Sequence, residues 1–84
     1  MPQPCVYILK SARNGRYYVG HTTNIDRRVA THNAGGVRAT RYLRPWALVY
    51  TEEHPDATAA RKRERYLKRL KSRAALEVLI RSAT

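Results

Sequence analysis

Two apolar runs near the N-terminus predict a β-hairpin. Residues 5–10 are mostly β-branched, aromatic or aliphatic, and residues 16–20 form a second run of this kind. Asn14 and Gly15 lie between the runs, and both residue types tolerate the positive φ angles that a type I′ turn requires. The two runs are therefore expected to pair as antiparallel strands across this turn.

The middle of the chain predicts a short helix, a loop and a third strand. Asn24 can cap a helix over residues 25–33, in which Asp26 faces the positive end of the helix dipole. Residues 34–45 contain two glycines and three arginines and are expected to form a basic loop. Residues 46–51 are a further apolar run, which predicts a strand buried at its centre.

The remaining sequence predicts two helices. Asp56 can cap the first, over residues 57–71, and Ser72 can cap the second. Most cations of the first helix take one side of it, and the other side gathers Ala59, Ala60, Tyr66, Leu67 and Leu70. The second helix has an apolar stripe of Ala75, Leu76, Leu79 and Ile80.

The predicted order of elements is β-β-α-β-α-α. This order is typical of an α+β domain, in which helices flank a small three-stranded antiparallel or mixed β-sheet. A chain of 84 residues has room for one core, so residues 1–84 are expected to form a single domain without a separate recognition module. Any selectivity would then come from this domain or from a protein partner.

The charge balance indicates a polyanionic partner. Lysine and arginine number 17 against six acidic residues, the formal net charge is +11, and 13 of the 17 cations are arginine. Arginine binds phosphate oxygens in a bidentate fork and stacks on bases, so its excess over lysine favours nucleic-acid binding. Some small basic proteins carry such charge for solubility or ribosome association instead, and composition alone leaves this alternative open.

Cys5 is the only cysteine, which excludes an intramolecular disulfide and a zinc site built from several cysteines. It lies in an apolar run, so we expect it to pack in the core. No apolar run is long enough to cross a membrane, and the N-terminus lacks the pattern of a signal peptide. The sequence therefore predicts a cytoplasmic protein with no membrane partner.

The first predicted helix places a cation and an imidazole on one face. Arg28 and His32 share this face with Ile25, which should anchor the helix, so both are expected at the edge of the core. Arg27 points about 100° away and is expected to be exposed. Taken singly, Arg28 and His32 are also compatible with ordinary boundary residues that have no catalytic role.

Glu64 is the only acidic residue in the helix predicted over residues 57–71. An ion pair with Lys68, one turn later, would stabilise the helix by only about 0.3–0.5 kcal/mol. Its position beside Leu67 also allows the carboxylate to face the sheet. A hard divalent cation needs only one or two carboxylates when water and substrate phosphate complete its ligands, so Glu64 is a candidate Mg²⁺ ligand.

Two tyrosine-centred tripeptides lie eleven residues apart, Val6-Tyr7-Ile8 and Tyr18-Val19-Gly20. Pairing of the two predicted strands would make Tyr7 and Tyr18 neighbours. Tyrosine is a common strand residue, and a phenol with a pKa of about 10 is a poor base at neutral pH. A nearby guanidinium or metal ion would favour the phenolate and make it available as a base.

Together these residues resemble the GIY-YIG nuclease superfamily, and most of all its short bacterial members that consist of this domain alone. Cys5-Val6-Tyr7 is similar to the first motif, with Cys in the place of its glycine, and Tyr18-Val19-Gly20 is similar to the second, with Val for Ile. The family's catalytic arginine, its histidine one turn later and its metal-binding glutamate correspond to Arg28, His32 and Glu64. No asparagine follows that glutamate, although some relatives have one there.

The resemblance implies hydrolysis of a phosphodiester in DNA, with one Mg²⁺ or Mn²⁺ held by Glu64. It implies that Arg28 neutralises charge on the phosphorane, that Tyr7 accepts a proton from the attacking water, and that Tyr18 and His32 orient water and phosphate. Cleavage is expected to depend on DNA structure, in repair or recombination, and RNA is an alternative substrate. Phosphates are expected to contact the cations Arg27, Arg38, Arg41, Arg44 and Lys68.

Two alternatives stay open. A non-catalytic nucleic-acid or ribosome-binding module with the same fold would also explain the charge, but it would not require Arg28 or Glu64, since an acid weakens phosphate attraction. A membrane-surface helix over residues 57–71 is disfavoured, because its apolar face is mostly alanine and has no Trp or Phe. Metal-dependent cleavage would separate a nuclease from the binding module.

Overall fold

The computed structural model describes residues 3–83. Its strands are β1 (Cys5–Ser11), β2 (Tyr17–Thr22) and β3 (Trp46–Glu53), and its helices are α1 (Ile25–Asn33), α2 (Ala57–Leu70) and α3 (Arg73–Ser82). A 3₁₀ turn over Arg41–Leu43 precedes β3. The predicted α+β class and β-β-α-β-α-α order are confirmed. Within residues 3–83, no helix combines the length and apolar character that crossing a bilayer requires.

The sheet has the strand order β2-β1-β3, and both neighbouring pairs are antiparallel. β1 is therefore the central strand, and its residues from Cys5 to Leu9 are all buried. β3 has a partner on one side only, and the prediction that it is buried at its centre is wrong. Leu48 is 42% exposed, and Val49 and Tyr50 are only partly buried.

The two faces of the sheet carry separate clusters of buried side chains, because successive side chains of a strand point to opposite faces. One face, called the α2 face below, joins β1 and β2 to the C-terminal helices through Val6, Ile8, Val19, Ala60, Leu67 and Leu76. The other, called the α1 face, is built from Tyr7, Leu9 and Trp46, with Tyr18, Ile25, Val29 and Leu43 packed against them. Cys5 is a buried free thiol, as its apolar surroundings predict.

All three predicted helix caps are present. The side chain of Asn24 accepts a hydrogen bond from Arg27 N–H at 3.1 Å. That of Asp56 accepts from Ala59 N–H at 2.8 Å, and that of Ser72 accepts from Ala75 N–H at 3.1 Å. Each cap satisfies a backbone donor that has no partner inside its helix, and this local chemistry explains why the helix starts could be predicted.

The connection between β1 and β2 differs from the prediction. A type I′ turn needs positive φ at both central residues, but Gly15 has φ +76° and Asn14 has no positive φ. The loop is wider: Ser11 N–H donates to Arg16 O at 2.8 Å, and Gly15 N–H donates to Ser11 O at 2.9 Å. The Asn14 side chain accepts from Arg16 N–H at 3.0 Å, so asparagine supports this loop through its side chain.

The buried face of α2 also differs from the prediction. Ala60 and Leu67 are buried, but Tyr66 and Leu70 are 51% and 38% exposed. The helix turns Arg63 and Glu64 towards the sheet instead. Arg63 Nε donates to Glu52 Oε1 of β3 at 2.8 Å, and this ion pair helps to fix the rotation of the helix. The exposure of Tyr66 and Leu70 follows from that rotation.

Candidate active site

Tyr7 and Tyr18 lie side by side on the α1 face. In the antiparallel register Tyr7 pairs with Gly20, and Leu9 pairs with Tyr18, so the two tyrosines are diagonal neighbours. Their ring centroids are 6.4 Å apart. The predicted proximity of the two tyrosine motifs is therefore present in the structure.

Gly20 provides the space that the Tyr7 side chain occupies. A Cβ atom at position 20 would overlap the hydroxyl oxygen of Tyr7 and the ring carbon that carries it. Tyr7 is 2% exposed, so close packing leaves its ring little room to move aside. Glycine at the end of the second motif thus allows the phenol to lie over β2.

A chain of hydrogen bonds leads from Tyr7 into the protein. The Tyr7 hydroxyl lies 2.8 Å from His32 Nε2, and His32 Nδ1 lies 2.7 Å from the Thr40 hydroxyl. The Thr40 hydroxyl donates to Val37 O at 3.4 Å. It can then accept from Nδ1–H, which leaves Nε2 to accept from the Tyr7 hydroxyl. This arrangement favours the neutral tautomer of His32 with its proton on Nδ1.

His32 is buried in the ring cluster, so the prediction that it lies at the core's edge is wrong. It is 0% exposed, and its ring centroid lies 5.1 Å from that of Tyr18 and 5.8 Å from that of Tyr7. Burial lowers the pKa of His32, and the Arg28 guanidinium lowers this pKa further. The imidazole therefore stays neutral at neutral pH and is available as a proton acceptor.

Arg28 is exposed on α1, whereas it was predicted at the edge of the core. Its charge nevertheless affects the pKa values of the buried Tyr7 and His32. Burial raises the pKa of Tyr7 above its usual value, the Tyr18 and Glu64 charges raise this pKa further, and Arg28 opposes them. Burial outweighs the guanidinium, so the expectation that a neighbouring cation favours the Tyr7 phenolate does not hold for the protein alone. Tyr7 is a neutral phenol that lies within electrostatic reach of both Arg28 and Glu64.

Glu64 joins α2 to the edge of β2. Its Oε1 accepts a hydrogen bond from His21 Nδ1 at 2.7 Å, and its Oε2 lies 3.2 Å from Lys68 Nζ. The ion pair with Lys68 and the orientation towards the sheet are thus both present. Lys68 Nζ also lies 5.3 Å from the ring centroid of Tyr18. Lys68 is therefore part of the same cluster as the tyrosines.

His21 is a site residue that sequence reasoning missed, because the second predicted strand ended at residue 20. The structure places it in β2. Tyr17, Val19 and His21 alternate with Tyr18 and Gly20, so His21 faces α2 and meets Glu64. The period-2 alternation, extended one residue beyond the second motif, could have revealed this position.

The donor set suits a hard divalent cation with few protein ligands. Glu64 offers carboxylate oxygens, one of which is oriented by His21, and the other is partnered by the Lys68 ammonium, whose side chain is 47% exposed. Within residues 3–83, no group of three or more His, Cys, Asp or Glu side chains could hold a metal ion. A cation here would take Glu64, water and substrate phosphate as ligands, which matches the preference of Mg²⁺ for oxygen and retained water.

Thr40 reaches His32 because the basic loop is anchored to the strand that follows it. The Asn33 side chain donates to Trp46 O at 3.0 Å and accepts from Trp46 N–H at 2.7 Å. The indole N–H of Trp46 donates to Thr40 O at 2.8 Å. No sequence pattern indicates a role for Asn33 or Thr40, since their partners lie in other elements.

The hydrogen bonds that join Tyr7, His32 and Thr40, and those that join His21 and Glu64, involve none of the four arginines predicted to bind phosphate. Arg27 is exposed beside Arg28, and Arg38 is exposed in the basic loop. Arg41 and Arg44 line a shallow depression of about 370 Å³ next to Pro45. The site and the basic loop are nevertheless connected, because Thr40 belongs to that loop.

Comparisons with known proteins show which proteins this chain is similar to. A sequence model described as the GIY-YIG catalytic domain matches residues 3–77. A UPF0213 protein of Natronomonas pharaonis is 45% identical over 80 residues, which are 94% of this chain and 92% of that protein. A UPF0213 protein of Bacillus cereus is 42% identical over 67 residues, which are 79% of this chain and 69% of that protein.

A solved structure is also similar to this chain. It is the solution NMR structure of a UPF0213 protein from Bacillus halodurans, which is 37% identical in sequence. The TM-score is 0.57, and the match covers 93% of this chain and 82% of the other. At this identity, the two proteins share the arrangement of strands and helices as well as sequence similarity.

Proposed function

Because the chain belongs to the GIY-YIG catalytic domain family, we propose that it is a metal-dependent endonuclease that hydrolyses phosphodiester bonds in DNA. The observation that carries the proposal is the 2.8 Å contact of the Tyr7 hydroxyl with His32 Nε2, at a place within electrostatic reach of both Arg28 and Glu64. Both charges act on the pKa of this one phenol, although they come from different helices. A proton-transfer group, a cation for a phosphorane and a carboxylate for a metal ion are the groups that phosphodiester hydrolysis uses.

Tyr7 and His32 form the proton-transfer part of the site. As the attacking water gives a proton to the Tyr7 oxygen, the original phenolic proton moves along the 2.8 Å hydrogen bond to His32 Nε2. The imidazolium that forms keeps its Nδ1–H on the Thr40 hydroxyl. A neutral His32 is required for this step, and burial together with Arg28 lowers its pKa in that direction.

The charged side chains would bind the phosphate group and the metal ion. Arg28 is exposed and would bind the non-bridging oxygens as negative charge grows in the transition state. Glu64 would hold the Mg²⁺ or Mn²⁺ ion, with His21 fixing the carboxylate, and this ion would stabilise the leaving oxygen. Tyr18 and Lys68 would complete the wall that positions the phosphate, because Lys68 lies over the Tyr18 ring.

The exposed arginines would bind phosphates next to the one that is cut. Arg27 lies beside Arg28 on α1. Arg38, Arg41 and Arg44 belong to the basic loop over residues 34–45, in which Thr40 contacts His32 of the site. Phosphate contacts of this kind fix the position of DNA without reading its sequence. We expect Arg41→Ala to weaken binding to all sequences and to lower the slope of log K against log salt by about 0.9 on duplex DNA. An unchanged slope would remove Arg41 from the interface.

Cleavage that depends on DNA structure, with a role in repair or recombination, fits a domain that offers backbone contacts more readily than base contacts. RNA is the alternative substrate, since the same cations bind its phosphates. A partner protein would be a further source of selectivity.

A non-catalytic nucleic-acid-binding module is the second candidate. It is favoured by the pairing of both Glu64 oxygens, one with His21 and the other with Lys68. A fully paired carboxylate can hold α2 on the sheet without any metal ion. The two candidates make opposite predictions for cleavage and the same prediction for binding.

The deciding experiment measures cleavage of labelled single-stranded, duplex, branched and nicked DNA with Mg²⁺ or Mn²⁺. Wild type is compared with Glu64→Gln, Arg28→Ala and the matched control Arg27→Ala, which removes the neighbouring guanidinium. We expect Arg28→Ala to lower the single-turnover rate at saturating protein by about 10²–10³-fold, and Arg27→Ala to change mainly the binding.

Three outcomes are informative. Loss of cleavage in Glu64→Gln and Arg28→Ala with DNA binding retained would support the nuclease. Equal losses in Arg27→Ala and Arg28→Ala would contradict the specific role of Arg28. Binding by wild type to every substrate without cleavage of any would leave the binding module as the better account.

A further inference from the structure

A second basic surface lies beside the site, between β2 and the corner where α2 meets α3. It is a groove of about 810 Å³, called the corner groove below. No acidic residue is among the described residues that line it, and its polar and aromatic lining includes Arg16, Tyr17, Tyr18, Lys68, Lys71 and Arg73. The groove therefore combines strong positive charge with tyrosine rings.

Two of its cations are held in place by those rings. Arg73 Cζ lies 4.6 Å from the ring centroid of Tyr17, and Lys68 Nζ lies 5.3 Å from that of Tyr18. The Arg73 Nη1 also donates to Gly15 O at 2.8 Å. Cations that are already positioned lose less conformational freedom when they bind an anion, so the groove is prepared for one.

The groove's other two cations have free side chains. Arg16 and Lys71 are exposed, and neither side chain makes a hydrogen bond or ion pair with another residue in the part of the chain that the structure describes. Among the described residues, the only groove cations that pair with carboxylates are Lys68 and Arg73: Glu64 lies 3.2 Å from Lys68, and Glu77 lies 3.9 Å from Arg73. Two cations of the groove are thus available to an external anion without breaking an internal contact.

Lys71 has an unusual backbone for a lysine. It ends α2 in the left-handed conformation with φ 47° and ψ 36°, which glycine adopts without penalty and which side chains with a Cβ disfavour. It is the only described residue other than glycine with positive φ. A strained position that carries a cation in place of glycine points to a use for that side chain.

The corner groove is continuous with the candidate active site, because Tyr18 and Lys68 belong to both. We infer that the groove binds the phosphodiester backbone of the strand that is cut, at the nucleotides on one side of the scissile phosphate. Its charge is complementary to phosphate, and its rings are covered by cations, which favours contacts with the backbone over stacking with bases. Naming the strand as the one that is cut rests on the proposed nuclease function.

The test is binding of a fluorescein-labelled single-stranded oligothymidylate in EDTA over a series of salt concentrations, followed by fluorescence anisotropy. Lys71→Gly removes a groove cation and relieves the left-handed backbone, so its thermal midpoint should not fall. Lys62→Ala removes the same charge nine residues earlier, two and a half helical turns away from Lys71. A second groove variant, Arg16→Ala, removes a cation that lies on a different element.

We expect Lys71→Gly and Arg16→Ala each to weaken binding several-fold and to lower the salt slope by about 0.7, the change for one phosphate contact to a single strand. Lys62→Ala should leave the slope unchanged. The inference is overturned if the two groove variants match Lys62→Ala. It is also overturned if an acidic polyglutamate peptide displaces the oligonucleotide from wild type as effectively as unlabelled oligonucleotide does.

Failure of this inference is distinguishable from failure of the proposed function. If wild type binds the oligonucleotide through the groove but cuts no DNA with Mg²⁺ or Mn²⁺, the groove stands and the nuclease falls. If wild type cuts DNA and the groove variants keep its binding and salt slope, the nuclease stands and the groove is refuted.

Discussion

The hydroxyl of Thr40 is predicted to stabilise the protein and to fix the tautomer of His32. Thr40 is 1% exposed, and its hydroxyl lies 2.7 Å from His32 Nδ1 and 3.4 Å from Val37 O. Thr40→Val keeps the shape of the side chain and replaces the hydroxyl with a methyl group. The buried Nδ1–H of His32 then loses its acceptor, and no water can replace it without opening the core.

The expected cost follows from this burial. A buried donor left without a partner costs about 1–3 kcal/mol, whereas a domain of 84 residues has a total stability of about 4–13 kcal/mol. The variant should therefore fold but unfold at a lower temperature, by about 4–8 °C for each kcal/mol lost. The measurable effect is large without abolishing the native state.

The assay is urea unfolding followed by the fluorescence of Trp46, the only tryptophan. The matched control is Thr31→Val, since the Thr31 hydroxyl donates to Arg27 O at 2.9 Å on the exposed side of its own helix, and its loss should change stability by less than about 0.5 kcal/mol. ¹⁵N NMR of the His32 ring supplies a second readout. The wild type should carry its proton on Nδ1, and Thr40→Val should shift it towards Nε2.

The hydrogen-bond chain would be refuted by a specific pair of results. If Thr40→Val is no less stable than Thr31→Val and the His32 tautomer is unchanged, then the Thr40 hydroxyl does not hold the imidazole. Tyr7 would then need another explanation for its position.

Three further predictions concern pH, the second motif and the rotation of α2. The pKa of His32 is lowered in the folded state, so the unfolded chain takes up a proton first as pH falls. The free energy of unfolding should therefore decrease below pH about 6.5, by up to about 1.4 kcal/mol per pH unit, and His32→Gln should flatten this part of a urea-unfolding pH profile. Gly20→Ala places a Cβ against the Tyr7 hydroxyl and should destabilise the protein by about 1–3 kcal/mol while reducing cleavage; unchanged urea unfolding would mean that Tyr7 moves aside freely. Leu67→Ala should cost about 2–5 kcal/mol in urea unfolding because it opens a cavity in the core. Leu70→Ala should cost less than half as much, since Leu70 is 38% exposed, and equal losses would contradict the rotation of α2.

Much of the fold was predictable, because it depends on interactions between residues close in sequence. Asn24, Asp56 and Ser72 each accept a hydrogen bond from a backbone N–H three residues later, so short segments of sequence carry the information for the helix starts. The spacing of the tyrosine motifs likewise indicated the GIY-YIG family, which the match over residues 3–77 confirms. The roles of the individual site residues stay predictions.

Other features depend on contacts across the fold, and only the tertiary structure decided them. His21 and Glu64 are 43 residues apart in the chain, and Tyr7 and His32 are 25 apart. Whether His32 lies at an edge or in the core depends on how Tyr7 and Thr40 enclose it, and helical periodicity contains no information on that enclosure.

The sequence by itself determined the element order, the caps, the basic charge and the two tyrosines on neighbouring strands, because local hydrogen bonds and strand alternation dictate them. The tertiary structure decided which side of α2 faces the sheet, and with it that Glu64 and Lys68 reach the site while Tyr66 and Leu70 stay exposed. The apolar positions of α2 allow more than one rotation. Burial of Ala60 and Leu67 against the strands, together with the contacts of Arg63 with Glu52 and of Glu64 with His21, selects one of them.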